Sequence, residues 1–222
     1  MVSFIVRTKN EERWIGHCIQ SIINNFGKEE SDIIIIDNES SDETLQIVKM
    51  FKDCNLKVLT IPKMEYTPGK ALNMGLSAAS ISSRYACITS AHCQIKDIDK
   101  VSLDKHMSDN LCFGTIGRQI PVYKGRKLKS KYVWENFSNE NSEPIINLIE
   151  SDRDNMLFFH NAFSFINLSV WKDHNFCEEV SGKEDREWAD RMSKLGFYSV
   201  YDPKQSCIHH WTHRCATWSG LG

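Results

Sequence analysis

Two adjacent acidic residues, Glu184 and Asp185, follow Gly182 and Lys183 at a point where a helical pattern begins. A carboxylate that projects into a cleft can take a proton from a substrate hydroxyl and so act as a general base. Acidic residues in the first turn of a helix also stabilise the helix dipole, which is a purely structural role. The spacing fits both roles, and Asp185 is therefore a candidate base.

Histidines are concentrated near the end of the chain, where His209, His210 and His213 lie between Cys207 and Cys215. Imidazole and thiolate groups are common zinc ligands. However, this spacing fits no tetrahedral structural zinc pattern, and a second Cys/His pair is missing. The cluster therefore argues against a structural zinc site and leaves its histidines available for other chemistry.

Three further residues have positions that suit a nucleotide. Asp37 follows an apolar run directly, and a carboxylate there can accept hydrogen bonds from a ribose or a base imide. Its alternative role is that of a turn or cap residue, but neighbouring serines and Asp42 already serve a cap. Lys70 and Asn73 lie just after Pro68-Gly69 at the start of a predicted helix, where phosphates bind readily. A Pro-Gly pair before a helix is also ordinary turn punctuation.

Alternating strand and helix patterns must position these residues. Apolar strands are predicted at 3–6, 33–36, 57–61 and 85–89, and helices at 15–26, 41–51 and 70–79, the second opened by a Ser40–Glu43 capping box. This alternation predicts an α/β fold with a mostly parallel sheet, in which ligands bind at the carboxyl ends of the strands. Polar residues occupy those ends: Thr8, Asn10, Asp37, Asn38, Ser90 and His92.

The second half of the chain is less regular. Residues 121–154 are polar without clear periodicity, which predicts a long loop with at most a short helix. A strand is predicted at 162–166, a helix at 184–195 with Trp188 on its apolar face, and a last strand at 198–201.

Composition excludes several classes of protein. The 222 residues are 41% hydrophobic and 25% charged, which is typical of one globular domain and excludes collagen, coiled coil and general disorder. The formal net charge of −2 gives no reason to expect a nucleic-acid partner, although residues 124–131 are basic. No apolar run reaches membrane-spanning length and no leader is visible. We therefore expect the eight cysteines to be reduced thiols in a cytoplasmic protein.

Five segments of the chain, taken together and in order, resemble the family 2 glycosyltransferases with the GT-A fold. They are Val6-x-Thr8-x-Asn10-Glu11, 34–44 (IIIDNESSDET), 69–75 (GKALNMG), 161–164 (NAFS) and Gly182-x-Glu184-Asp185 leading into a helix that ends Leu195-Gly196-Phe197. The resemblance covers about residues 3–210. It implies a Rossmann-like, mostly parallel central sheet flanked by helices, with a nucleotide-sugar half over about 1–95 and an acceptor half over about 96–222.

The resemblance also implies an activity, namely transfer of a sugar from a nucleotide donor with inversion at the anomeric carbon. Asp185 would take the proton from the acceptor hydroxyl. By analogy, the donor-binding residues would be Thr8, Asn10, Glu11, Asp37, Lys70, Asn73, Ser90 and His92. The acceptor-side residues would be Asn161, Glu184 and Trp188.

One position departs from the family pattern. The family usually carries Asp-x-Asp after the fourth strand, whereas this chain has Ser90-Ala91-His92. The diphosphate leaving group needs its charge neutralised, normally by a divalent metal. We therefore expect a weak Mn²⁺ or Mg²⁺ site from His92 and His210 (or its neighbour His209), completed by diphosphate oxygens. The alternative is metal-independent catalysis, in which these histidines, Lys70 or Arg118 stabilise the diphosphate directly.

A looser resemblance concerns the acceptor. Residues 117–121 (GRQIP) and Trp188 are similar to a subset of the family that builds bacterial capsule or lipopolysaccharide chains. This implies a glycan or lipid-linked acceptor at the inner face of the membrane. The basic residues 124–131 would then contact anionic lipid, although a solvated loop is the favoured interpretation.

Two other functions are considered. One is a protein of the same fold that binds nucleotide sugar or glycan without transfer. The other, a nucleotidyltransferase, is disfavoured because the segment Thr8–Glu11 lacks a Gly-rich loop. The sequence does not predict the donor, the acceptor or the oligomeric state.

Overall fold

A computed structural model describes residues 1–127, 143–149, 157–180 and 182–211 of the chain. The strands are β1 (Val2–Thr8), β2 (Ser31–Asp37), β3 (Leu56–Thr60), β4 (Tyr85–Ser90), β5 (Cys93–Asp97), β6 (Cys112–Tyr123), β7 (Arg126–Lys127), β8 (Ile145–Ile146), β9 (Phe163–Asn167) and β10 (Tyr198–His210). The helices are α1 (Ile15–Phe26), α2 (Thr44–Val48), α3 (Pro68–Ser77), α4 (Lys100–Met107), α5 (Leu168–Asp173) and α6 (Glu184–Lys194), with a 3₁₀ turn at Lys63–Glu65.

The strands form one twisted sheet in the order β3-β2-β1-β4-β9-β6-β10-β5, with β7 paired to β6 and β8 to β10. The first four strands are mutually parallel. Strand β9 is antiparallel to both of its neighbours, β6 and β10 are parallel to each other, and β5 closes the far edge in the antiparallel sense. The mostly parallel α/β fold expected from the sequence is confirmed.

Helices cover both faces of the sheet, and strand β2 shows why its sequence is continuously apolar. Ile34 and Ile36 face the hydrophobic cluster beneath α3 and α6, here called the α3/α6 cluster. Ile33 and Ile35 face the cluster beneath α1 and α4, the α1/α4 cluster. Because side chains alternate between the faces of a strand, a strand buried on both faces needs apolar residues at every position.

The predicted capping box before α2 is wrong. Ser40 Oγ instead accepts a hydrogen bond from the backbone N–H of Asn10. The N-cap of this short helix is Glu43, which makes no side-chain capping bond, and Asp42 Oδ1 accepts the backbone N–H of Thr44 in the turn before it. The Ser40 hydroxyl is therefore used to join the loop after β1 to the loop after β2.

The predicted long loop after position 120 is only partly correct. Pro121 lies inside β6 opposite His209, and a two-residue turn at Lys124-Gly125 leads into β7. Residues 128–142 and 150–154 of that predicted loop lie outside the described residues. In the turn between β6 and β7, Lys124 and Gly125 have positive φ angles of 48° and 76°, and a glycine adopts such an angle at little cost.

Seven cysteines are described, and all are free thiols; Cys215 lies outside the described part of the chain. Cys87 and Cys207 are fully buried in the α1/α4 cluster. Burial raises the pKa of the Cys87 thiol well above its usual value, and a cysteine in this setting behaves as a small apolar residue.

Among the described residues, no helix combines the length and the apolar character needed to cross a membrane.

Candidate functional site

A cleft of about 800 Å³ opens at the carboxyl ends of β1 and β4 and is bounded on its other side by the start of α6. Its volume lies within the range of ligand-binding sites, about 300–1,000 Å³. Most of the residues that line it have polar or charged side chains. The lining residues are Arg7, Thr8, Lys9, Asn10, Glu11, Asn38, Tyr66, Pro68, Ser90, His92, His160, Asn161, Ala162, Gly182, Glu184, Asp185 and Arg186.

Most of the residues expected on the donor side do line this cleft: Thr8, Asn10, Glu11, Ser90 and His92. Asp37 lies opposite Thr8 in the sheet register, directly behind the cleft wall. Its Oδ2 accepts the backbone N–H of Ser40 at 3.1 Å, and its Oδ1 is buried without a hydrogen-bond partner among the described residues. A buried acceptor of this kind is costly unless a ligand or water satisfies it.

Lys70 and Asn73 do not line the cleft, contrary to the expectation from the sequence. Lys70 Nζ pairs with Glu65 Oε2 at 2.7 Å on the surface. Asn73 Oδ1 accepts the indole N–H of Trp171 and the backbone N–H of Phe176, each at 3.1 Å. Helix α3 reaches the cleft only at its first residue, Pro68, and both predicted residues lie beyond that point.

The acidic pair begins helix α6 at the cleft. Asp185 Oδ2 accepts the backbone N–H of Asn161 at 3.2 Å, and Oδ1 accepts the backbone N–H of Arg186 at 2.9 Å. Burial raises the pKa of the Asp185 carboxyl above its usual value, and these two hydrogen bonds and the charges of Arg7 and Arg186 offset part of that rise. A carboxylate with a raised pKa binds a proton more readily, as a general base must.

Glu184 also lines the cleft and contacts Arg7 on strand β1. The two charges are 3.5 Å apart, and both side chains are largely buried, with 17% of Arg7 and 7% of Glu184 exposed. Burial by itself lowers the pKa of Arg7, but Tyr66, Glu184 and Asp185 outweigh it and raise the pKa overall. The guanidinium therefore stays charged inside the cleft wall.

Trp188, expected on the acceptor side, is a core residue instead. Its side chain is fully buried in the α3/α6 cluster between Phe113, Phe159 and Phe176, with ring centroids 4.7–5.8 Å apart. Its indole N–H donates to the backbone carbonyl of His174. Trp188 lies one helical turn after Glu184, on the face of α6 that packs against the sheet, and so cannot contact an acceptor.

A chain of hydrogen-bonded side chains crosses the floor of the cleft. Glu11 Oε1 contacts His92 Nδ1 at 2.9 Å, and His92 Nε2 contacts His209 Nε2 at 3.0 Å. His209 Nδ1 contacts Gln119 Oε1 at 2.8 Å, and the Gln119 amide nitrogen contacts His160 Nδ1 at 3.2 Å. Residues from five separate parts of the chain are joined in this way.

One backbone contact shows which nitrogen atoms carry the protons in this series of hydrogen-bonded side chains. The N–H of Ala162 donates to His160 Nδ1 at 3.2 Å, so that this nitrogen acts as an acceptor and Gln119 must turn its amide nitrogen toward it. Gln119 Oε1 then accepts from His209 Nδ1. Burial and nearby arginine charges lower the pKa of His160 to about 3, and burial and neighbouring histidines lower the pKa of His209 well below its usual value. Both rings are therefore neutral.

His210, the expected partner of His92, lies elsewhere. Its ring stacks on Trp14 with centroids 3.9 Å apart, and its Nε2 is 3.5 Å from Gln94 Oε1. Adjacent residues of a strand point to opposite faces, which is why His209 meets His92 while His210 does not. The sequence offered both neighbouring histidines as partners of His92. Only the register of β10 shows which of the two faces His92.

Among the residues that the structure describes, His92, Cys93 and His209 could together hold a metal, since their ligand atoms all lie within 4.8 Å of one another. Two imidazoles and a thiol fit an ion that prefers nitrogen and sulfur, such as Zn²⁺, whereas Mg²⁺ prefers oxygen ligands. Glu11, the carboxylate next to this cluster, bonds the other nitrogen of His92, as an outer-shell partner does. The cluster therefore fits a nitrogen-preferring divalent ion and does not fit Mg²⁺.

Arg7, His160 and Tyr66 also line the cleft, but no sequence argument singled them out. The alternation of side chains along β1 could have identified Arg7 from the sequence. In β1, Ile5 faces the α3/α6 cluster, and period-two alternation places Arg7 on the same face, where α6 packs. His160 and Tyr66 lie in irregular segments, and their positions follow from tertiary contacts alone.

Residues 3–174 match the profile of Glycosyl transferase family 2. A curated relative, the poly(ribitol-phosphate) beta-N-acetylglucosaminyltransferase TarS of Staphylococcus aureus, is 30% identical over 126 residues, which are 54% of this chain and 22% of the relative. The structure of S. aureus TarS 1-349 in complex with UDP-GlcNAc superposes with a TM-score of 0.71 at 19% identity, covering 99% of this chain and 61% of that one.

A second solved structure of the same fold is the mannosyltransferase PcManGT from Pyrobaculum calidifontis in complex with GDP-Man and Mn²⁺. It superposes with a TM-score of 0.70 at 17% identity and covers 96% of this chain and 57% of that one. The chain thus spans about a fifth of the curated relative and about three fifths of the two solved structures. The matched profile covers most of the sequence and the sheet has the GT-A arrangement, so this chain belongs to glycosyl transferase family 2.

Proposed function

We propose that this chain transfers a sugar from a nucleotide-sugar donor to a glycan hydroxyl, with inversion, and that Asp185 is the general base. The observation that carries the proposal is the Asp185 carboxylate, held by two backbone N–H groups on the wall of the cleft opposite Thr8 and Asn10. Its raised pKa favours proton uptake from an acceptor hydroxyl.

The proposed step is a single displacement. The acceptor oxygen forms a bond to the anomeric carbon while Asp185 takes the hydroxyl proton. The bond from the anomeric carbon to the diphosphate oxygen breaks, and its electron pair leaves with the nucleoside diphosphate. Attack and departure on opposite faces of the sugar invert the anomeric configuration.

The leaving diphosphate gains negative charge that the cleft must stabilise. On the donor side, Lys9 Nζ bonds Asn38 Oδ1 at 2.7 Å, which holds one cationic side chain at the cleft wall. Glu11 and His92, which line the same cleft as Lys9, form a series of hydrogen-bonded side chains with His209. A divalent ion held by His92 and His209 would act there as a Lewis acid.

Donor binding measured by calorimetry tests this role. UDP should bind more tightly with Zn²⁺ or Mn²⁺ than after EDTA treatment, and His209→Ala should remove the difference. Affinity and turnover that do not change with metal would rule out the metal version and favour stabilisation by protein cations alone. His17→Ala, at an exposed histidine of α1, is the matched control.

We propose a uridine diphosphate sugar as donor and a cell-surface glycan as acceptor. The relatives support this, since TarS is named as a beta-N-acetylglucosaminyltransferase acting on poly(ribitol-phosphate) and its structure was determined with UDP-GlcNAc. A thermal-shift screen of UDP-, GDP-, dTDP- and CMP-sugars tests the donor, because a ligand that binds only the folded state raises its melting temperature. A larger shift with GDP-sugars than with UDP-sugars would overturn it.

Asp185→Asn separates this enzyme from a protein that only binds nucleotide sugar. The variant should lower turnover by about 10²–10⁴-fold, the usual contribution of general base catalysis, while UDP affinity changes little. Asp190→Asn is the matched control, because Asp190 lies on the same helix and pairs with Lys194 on the surface. Turnover of Asp185→Asn equal to that of the control would refute the base.

We also propose that the chain contacts the inner face of the membrane. The β6–β7 hairpin supports this with three basic residues, Lys124, Arg126 and Lys127, all of which are exposed. The rest of the predicted basic stretch lies outside the described residues. Vesicles that contain anionic lipid should sediment the wild type more than a triple Gln variant at low salt, and equal sedimentation would argue for a solvated turn.

A further inference from the structure

Arg7 is a largely buried cation, and the proposed reaction assigns it no role. It lies near the end of β1, one residue before Thr8, and faces the side of the sheet on which α6 packs. A buried guanidinium is stable only when it is paired and hydrogen-bonded. Here it pairs with Glu184 and lies close to Tyr66.

A short series of contacts leads from Arg7 to the carboxylate of Asp185. Arg7 Nη1 is 3.5 Å from Glu184 Oε1, and the same oxygen is 3.5 Å from the side-chain nitrogen of Asn161. The backbone N–H of Asn161 then donates to Asp185 Oδ2 at 3.2 Å. Arg7 therefore supports, through Glu184, the residue whose backbone N–H orients Asp185.

Charge gives Arg7 a second influence on Asp185. The charged groups around Asp185 are Arg7 from β1 and Glu184 and Arg186 from α6, while His160, in the segment before β9, is neutral. Tyr66, after the 3₁₀ turn, is a phenol close to Arg7. Burial favours the protonated form of Asp185, and the two arginines oppose it.

We propose that Arg7 is a positioning residue for Asp185, which it holds in place through Glu184 and Asn161 and keeps negatively charged so that it can accept a proton. The inference rests on the proposed function and deepens it, because it names what prepares the base. It also links the two sides of the cleft, since Arg7 and the nucleotide-side residue Thr8 are neighbours on one strand.

The test is the pH dependence of the single-turnover rate at saturating donor, measured for Arg7→Gln and Arg7→Lys. Arg7→Gln removes the charge, so more of Asp185 is protonated at a given pH. We expect a rate about tenfold lower at pH 6.5, a deficit that shrinks toward pH 8.5, and an acid limb displaced to higher pH. Arg7→Lys keeps the charge and should keep the limb of the wild type at a reduced rate.

Arg84→Gln is the matched control, because Arg84 is exposed before β4 at the opposite end of the sheet and should leave the profile unchanged. A loss in Arg7→Gln that is the same at every pH, or no loss, would overturn the inference. So would a tenfold weaker UDP affinity, which would place Arg7 in donor binding. If Arg7→Gln does not fold, the test rests on Arg7→Lys alone. An acid limb at the wild-type pH with a reduced rate would support the inference, and an acid limb displaced to another pH would contradict the charge argument.

Failure of this inference is distinguishable from failure of the proposed function. If Asp185→Asn turns over like the wild type, the base itself is wrong. If Asp185→Asn is inactive while Arg7→Gln keeps the pH profile of the wild type, the base stands and only the role of Arg7 falls.

Discussion

At the scale of single residues, the cleft depends on side chains that bond each other before any ligand arrives. Thr8, Asn10 and His92 were predicted at the ligand-binding edge because they end or follow predicted strands, and all three line the cleft. Asp185 lines it too, but its periodicity left a helix-dipole role and a base equally open, and only the family resemblance favoured the base. Arg7 was missed although period-two alternation places it on the same face of β1 as Ile5, because only the structure shows that Glu184 of α6 packs against that face.

Histidine protonation provides a prediction about stability. The pKa of His160 is lowered to about 3, whereas an unfolded histidine titrates near 6.5. Between these values the unfolded chain binds a proton that the folded chain does not. Stability is therefore full above about pH 6.5 and falls as the pH drops from there toward 3. The melting temperature of the wild type should decrease clearly between pH 7 and pH 5.

His160→Gln removes this titration while keeping a neutral polar side chain, so its melting temperature should fall less over the same range. His17→Gln, at an exposed histidine of α1, serves as the control and should decline like the wild type. A decline in His160→Gln that matches both would show that His160 does not carry the pH dependence.

At the scale of elements, the first half of the chain could be predicted because the two periodicities there are clear. The second half was harder to predict. Strand β10 was predicted only for its first four residues because Asp202, Gln205 and Ser206 look like solvent-exposed loop residues. All three are buried. Ser206 donates to Asp97 of β5, Ser102 of α4 donates to Asp202, and the Gln205 amide nitrogen donates to the carbonyl of Asp99 at the start of α4.

Helix α3 gives a prediction that separates packing from binding. Asn73 joins this helix to α5 and the segment after it through four hydrogen bonds, one from Trp171, two with the backbone of Phe176 and one to Glu178 Oε1. Asn73→Ala leaves those groups without partners and should lower the free energy of unfolding by roughly 1–3 kcal/mol, measured in urea. UDP affinity should stay within about twofold, since Asn73 does not line the cleft.

Ser77→Ala, at an exposed position of the same helix, is the control for a side-chain truncation and should change the free energy of unfolding by less than about 0.5 kcal/mol. An Asn73→Ala protein that keeps its stability but binds UDP more than tenfold less tightly would restore Asn73 to the donor site.

At the scale of the whole molecule, a single sheet carries both sides of the cleft. Strand β9 lies between the first four strands and β6, so the described chain has no break in the sheet between the two halves. The two hydrophobic clusters also share strands. Phe163 and Phe165 of β9 belong to the α1/α4 cluster, and Ile166 of the same strand belongs to the α3/α6 cluster. Neither half of the cleft can lose its packing without exposing apolar surface of the other.

The chain should therefore unfold as one cooperative unit, although its cleft is functionally divided. Circular dichroism, which follows the helices and strands, and tryptophan fluorescence, which includes buried Trp188 of α6, should report the same transition. Saturation with UDP at about 100 times its Kd should stabilise that transition by about 2.7 kcal/mol in both signals, because binding favours only the folded state. Two separate transitions, of which UDP moved only one, would mean that the nucleotide side is an independent domain and that the continuous sheet does not couple it to Asp185.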